Sequence, residues 1–310
     1  MPHPPRPPAG PLATRWDQPV HSLVEVTTPT FTAVQAERHR LFSYAVMGIV
    51  ATQWNGNLYG QYGDYGIHRR GQRNPPGDPG GRYQGGTYLG HNIAAIAVDD
   101  VGEIIDFDLN HNSVFHRSTE HAEARLIRRV FGLTQIFDAW AAGPRRVSDR
   151  VDVLNQTTIY TSLESCSQCS GIMALGSIRD VVFLQRDPNQ NSIGNILYNL
   201  QQPRYPAPRP IPADSFQLEA FDQLDTALAD FSRAVADTTR DPFFRGLDGR
   251  DEHRSPAITA FLCTDAAQRI FATWKAKLAE PVLPDNKKIR QHCIAFVDYV
   301  QRRGMRGTCH

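Results

Sequence analysis

Thr157–Pro188 reads TTIYTSLESCSQCSGIMALGSIRDVVFLQRDP, and this stretch decides the fold. It opens on β-branched and aromatic residues from Thr157 to Ser162, the composition of a short buried strand. Cys166-Ser-Gln-Cys169 follows at once, at the start of a predicted helix that Gly176 closes. Asp180–Gln185 is again apolar and β-branched, so the stretch reads strand, helix, strand. Upstream, Ile93–Val98 predicts a buried strand, Asp99–Gly102 its turn, and Glu103–Phe107 the returning strand of a hairpin. Ser118 and Thr119 are cap candidates for a helix from Glu120 through Ala141, with a break at Gly132 and an end at Gly143-Pro144. Phe42, Ala45, Val46, Ile49 and Val50 recur at helical spacing and predict a helix over 34–54. Strands and helices in this order predict a mixed sheet flanked by helices.

Outward from that core the character changes. Residues 1–33 begin MPHPPRPPAGP and read as a Pro-rich tail, without the apolar h-region of a signal peptide. Residues 55–90 form a Gly- and Tyr-dense insert, a composition that builds no core of its own. A Pro-rich linker is expected over 201–214 and a helical extension over 215–310. In that extension Phe216, Phe221, Leu224, Leu228, Phe231 and Val235 make one apolar stripe. Phe261, Ile270, Phe271 and Trp274 suggest a second helix, and Ile289, Cys293, Phe296, Val297 and Val300 a third. The 310 residues carry 33 basic and 32 acidic side chains, a net charge of +1, which excludes a strongly basic nucleic-acid binder. No apolar run approaches the ~18–20 residues that span a bilayer, so no membrane partner is expected. Five cysteines in so long a chain are too few for a disulfide scaffold, and a reducing, cytoplasmic setting is expected.

Cys166-x-x-Cys169 and His121-Ala-Glu123 carry the chemistry. Zinc takes a tetrahedron of thiolate and imidazole ligands, and a catalytic site leaves one vertex to water. Two cysteines on one helical turn and a histidine from a neighbouring helix supply three ligands and balance the metal's charge. Glu123, two positions from the histidine, is close enough to reach that water without ligating the metal. Taken singly, a CxxC is as readily a structural half-site or a redox pair, and an HxE on a helix is usually a solvated face. Cys263, Cys293 and Cys309 lack ligand spacing and read as helix-core or tail thiols.

H-x-E followed by C-x-x-C resembles the signature of the zinc-dependent cytidine and deoxycytidylate deaminase superfamily. The stretch quoted above is similar to the branch holding tRNA adenosine deaminase, guanine deaminase and fungal cytosine deaminase. That resemblance spans about 34–200 and implies a three-layer α/β/α cytidine-deaminase-like mixed sheet, here with a C-terminal helical extension. It implies Zn²⁺ on His121, Cys166 and Cys169, with Glu123 as the proton-shuttling acid and base of a hydrolytic deamination. It also implies that Asn110 hydrogen-bonds the substrate base. The backbone N–H of Ala122 would bind a ring carbonyl or nitrogen, and the backbone carbonyl of Glu164 the departing amine. Ser165 departs from the pattern, standing where the family has proline; a serine there is expected to cap the following helix.

Three functions fit these residues: a deaminase of a base, nucleoside or related small heterocycle; an editor of tRNA or single-stranded DNA, toxin types included; and a zinc module that only binds partners. Residues 91–200 hold nine arginines, no lysine and thirteen acids, a net of −4. A polynucleotide reader needs cations to displace counterions, so a small heterocyclic substrate is favoured over nucleic acid. Glu123 argues against the non-catalytic module, which has no use for it. A homodimer is compatible with the resemblance. The insert over 55–90 is expected beside the site, where its glycines would allow movement and its tyrosines would cover a heterocycle.

Overall fold

A computed structural model describes residues 13, 15–54, 90–112, 119–132, 155–201, 206–236 and 258–303. The insert expected at the mouth of the site, apart from Gly90, lies outside the described residues.

Helix α1 (Ala33–Thr52) starts where the sequence places a helix. Its N-cap Thr32 accepts from Gln35 N while the Gln35 side chain accepts from Thr32 N, a reciprocal capping box. Among the described residues five strands follow: β1 (Ala94–Val98), β2 (Ile104–Leu109), β3 (Thr158–Thr161), β4 (Asp180–Phe183) and β5 (Arg209–Pro212). They form one sheet in the order β2-β1-β3-β4-β5. β1 is antiparallel to both β2 and β3, whereas β3–β4 and β4–β5 are parallel. The β1–β2 hairpin turns at Gly102, whose φ of +91° suits glycine. Asp99 Oδ1 steadies the turn by accepting from Val101 N and Glu103 N.

The other α-helices among the described residues are α2 (Ala122–Gly132), α3 (Ser167–Leu175), α4 (Ile193–Asn199), α5 (Glu219–Ala236), α6 (Ile258–Phe261), α7 (Asp265–Phe271), α8 (Trp274–Ala279) and α9 (Lys287–Arg303). Strand alternation sorts them onto two faces. Tyr160 bonds His39 of α1, while its neighbour Thr161 bonds Glu123 of α2. On β2, Phe107 packs edge-on against Phe296 of α9, while Asp106 and Asp108 pair with Arg129 and Arg125 of α2. One layer is therefore α2 with α3 and α4, which pack in sequence on one another and on the sheet; the other is α1 with α7, α8 and α9 against it. Residues from both layers and from the C-terminal helices share one continuous core.

Three local expectations are corrected. α2 starts at Ala122, later than Glu120, and the Thr119 carbonyl is engaged by Gln168 Nε2 instead of leading into a helical turn. The apolar positions from Phe261 to Trp274 belong to three helices, because Thr264 accepts from Ala267 N and caps a new one, and a turn at Ala272–Thr273 ends it. Arg209–Pro212, expected within the linker, is strand β5: among the described residues it pairs only with β4, and prolines are tolerated on an edge strand. Part of the expected tail is held against α4, whose Asn195 and Asn199 amides donate to the carbonyls of Val24, Leu23 and Glu25. Among the described residues no helix is long and apolar enough to cross a membrane.

Candidate metal centre and active site

The loop from β3 to α3 is fixed at both ends. Ala94 N donates to Ser162 Oγ and Ser162 N to the Ala94 carbonyl, while Glu164 N donates to Gln185 O at 2.8 Å. α3 then starts with Cys166 at the N-cap, and Cys169 lies in the first turn. A cysteine at a helix N-terminus sits where unpaired amides favour the thiolate. On the opposite side, Arg125 bridges Asp108 Oδ1 and Glu120 Oε2, both at 3.0 Å, and ties the start of α2 to β2. His111 N donates to the Glu120 carbonyl at 3.0 Å, so the turn after β2 is anchored beside His121 as well.

These constraints bring His121, Cys166 and Cys169 together, with all three potential ligand atoms within 4.8 Å of one another. His121 Nδ1 lies 3.3 Å from Cys166 Sγ and 3.5 Å from Cys169 Sγ. Tetrahedral zinc bonds of ordinary length separate a nitrogen and a sulfur ligand by about 3.6 Å, so spacing and donor chemistry both fit zinc. Hydrogen bonding from Cys169 draws the Cys166 thiol well below its ordinary range, and the same contact together with burial pushes Cys169 up.

Glu123 is 3 % exposed and faces this cluster. Its Oε1 accepts from Thr161 Oγ1 at 3.0 Å and from Ser165 Oγ at 3.4 Å, and its Oε2 from Cys169 Sγ at 3.5 Å. Burial pushes its carboxyl above the ordinary glutamate range. Ser165 therefore does not cap α3, since Cys166 holds that position; its hydroxyl turns inward. Sequence reading missed Thr161 as a partner of Glu123, for a β-branched residue in TTIYTS carries no signal beyond strand.

Asn110 closes β2 and is buried. Its Oδ1 accepts from His91 N at 3.2 Å and Asn112 N at 3.1 Å. Ala122 is the first residue of α2, so its N–H belongs to the turn that a helix leaves unpaired within itself. The Glu164 side chain accepts from Asp187 N at 3.0 Å. Glu164 also borders a polar cleft of about 790 Å³, with Arg15, Arg186, Asn195 and Tyr198 among its walls.

Residues 82–185 match the family described as the cytidine and deoxycytidylate deaminase zinc-binding region. No curated protein matches the chain. Among solved structures, a chain from work on A-to-I editing by tRNA:A34 deaminases is 24% identical, covering 39% of this chain and 82% of its own length, with a TM-score of 0.28. The diaminohydroxyphosphoribosylaminopyrimidine deaminase/5-amino-6-(5-phosphoribosylamino)uracil reductase of Thermotoga maritima is 17% identical over 61% of this chain and 42% of its own, TM-score 0.32. Guanine deaminase from Nitrosomonas europaea is 16% identical over 47% and 73%, TM-score 0.29.

Proposed function

We propose, for a chain whose residues 82–185 match the cytidine and deoxycytidylate deaminase zinc-binding region, hydrolytic deamination of a nucleobase, nucleoside or related small heterocycle. The observation that carries this reading is the convergence of Glu123 on the cluster of His121, Cys166 and Cys169. When bound there, zinc would act as a Lewis acid that makes water a nucleophile near neutral pH.

The chain's own groups supply the rest. Glu123 takes a proton from the attacking water and passes it to a ring nitrogen of the substrate. It then carries the remaining hydroxyl proton to the exocyclic amine. The C–N bond breaks to release ammonia, and the new C–O bond becomes a carbonyl. Asn110 orients the heterocycle through its side-chain amide, whose oxygen is already engaged by His91 N and Asn112 N, leaving the NH₂ as donor. The Ala122 N–H binds a ring acceptor, and the Glu164 carbonyl accepts from the amine that leaves.

The net −4 over residues 91–200 supports a small substrate over a polyanion. Ammonia release is to be measured on one base offered free, as its nucleoside and within a single strand, at low and moderate salt. Turnover of the small forms with little salt dependence is expected. Turnover confined to the strand, falling steeply with salt, would reverse the substrate assignment.

A further inference from the structure

The two oxygens of Glu123 have different surroundings. Oε1 receives two hydroxyl donors, Thr161 Oγ1 from the end of β3 and Ser165 Oγ from the residue before the first cysteine ligand. Oε2 faces the metal cluster, where it accepts from the Cys169 thiol. A cysteine ligates zinc as the thiolate, so metal binding removes that S–H donor. The hydroxyl donors to Oε1 are not part of the ligand cluster. Both hydroxyl residues are nearly sealed from solvent, Thr161 at 0 % and Ser165 at 4 % exposure, so water does not compete for the carboxylate there.

We propose that Thr161 and Ser165 are positioning residues that clamp Glu123 Oε1, so that Oε2 is the oxygen that carries the proton. The clamp gives a physical role to the serine that stands in place of the family's proline. Proline at that position would stiffen the loop into α3; serine here adds a second donor to the carboxylate instead. Thr161 lies between Ala95 on β1 and Phe183 on β4, so its hydroxyl is held by the centre of the sheet and not by a loop. No proton leaves either hydroxyl in this scheme. They hold the carboxylate in one orientation, and a misplacement of about 1 Å at such a group costs on the order of 100-fold in rate.

The inference rests on Glu123 as the proton carrier, so the experiment includes Glu123→Gln as its reference. The zinc-loaded protein is compared with Thr161→Val, Thr161→Ser, Ser165→Ala, Ser165→Pro and the Thr161→Val/Ser165→Ala double variant. With the best small substrate, kcat is expected to fall about 10-fold in Thr161→Val and by a smaller factor in Ser165→Ala, following the 3.0 and 3.4 Å contacts. KM and zinc content stay within about two-fold of the parent. Thr161→Ser restores kcat because it keeps the hydroxyl, and Ser165→Pro behaves as Ser165→Ala. A second readout needs no turnover: in a crystal structure of the metal-free double variant the Glu123 carboxylate leaves its present position. Ser165→Ala, the loss of one oxygen, carries the test should Thr161→Val not fold. Activity surviving in Glu123→Gln overturns both the proton-carrier reading and the clamp. An inactive Glu123→Gln beside a double variant with unchanged kcat overturns the clamp alone, and a gain in kcat in Ser165→Pro overturns the part given to Ser165.

Discussion

Asn92 Nδ2 donates to the carbonyl of Leu262 at 3.0 Å, both groups buried. Two residues that are far apart in sequence thus join the approach to β1 with the turn after α6. One residue earlier, His91 N holds the side chain of Asn110. The C-terminal helices are therefore in register with the substrate side of the proposed site through a single short segment. Asn92→Leu leaves the Leu262 carbonyl buried without this donor, at a cost of about 1–3 kcal/mol. A lower midpoint in urea unfolding, together with a raised KM and unchanged zinc content, is the expected outcome. A variant with parental KM would show that the C-terminal contact does not reach Asn110.

Gly90 is the next test of the same segment. A Cβ there would fall 2.3 Å from the Asn110 carbonyl oxygen and 2.7 Å from its Oδ1. Neither atom can yield easily, since one is backbone and the other is held by two N–H donors. Gly90→Ala is expected to displace the turn that presents Asn110 and to raise KM several-fold, a penalty of about 1 kcal/mol. Steady-state kinetics beside metal analysis separates this from damage to the zinc centre, which should remain loaded.

The proposed metal ligands and Glu123 should part company under mutation. Cys166→Ala or Cys169→Ala removes one of three protein ligands and is expected to strip zinc at purification. The loss should also lower thermal stability, because binding free energy at such a site contributes to folding. Glu123→Gln ligates nothing and is expected to retain one zinc per chain while losing most turnover. Full zinc in Cys166→Ala would sink the ligand assignment.

Much of this was legible in the sequence because it is local. TTIYTS and DVVF are strands by composition, and the H-x-E and C-x-x-C spacings need only one helical turn each to present their groups. What was not legible depends on contacts across the fold. Thr161 becomes a partner of Glu123 only because β3 lies under α2, which no spacing within TTIYTS announces. Ser165 could be noticed as a departure from the pattern that the sequence resembles, but its contact with the Glu123 carboxylate could not. Arg209–Pro212 reads as punctuation because its prolines signal a linker; among the described residues it pairs to β4 on one side alone, which lets it be a strand. The stripe from Phe261 to Trp274 gave apolar positions correctly and their continuity wrongly, since Thr264 can cap as readily as it can sit within a helix.

His39 offers a pH dependence separate from the metal centre. Its ring stacks on Phe216, meets Phe31 edge-on and bonds the Tyr160 hydroxyl at 2.9 Å. Burial lowers its pKa from 6.5 to about 4; Asp180 opposes the shift, and Arg179, Arg38 and Arg209 add to it. The folded-state value lies below that of the unfolded chain, so the unfolded chain takes up the proton first as pH falls. Stability from this residue is therefore complete above about pH 6.5, declines as pH drops toward about 4, and changes no further below it. The shift corresponds to roughly 3 kcal/mol. His39→Gln keeps a hydrogen-bonding group for Tyr160 but does not titrate. Urea unfolding at about pH 7 and about pH 4.5 should show the parent losing more stability than the variant across that interval. Other groups, His111 among them, titrate in both proteins and cancel in the comparison. Equal losses in the two proteins would mean that His39 is protonated in the folded state as easily as in the unfolded one, which its aromatic enclosure should not permit.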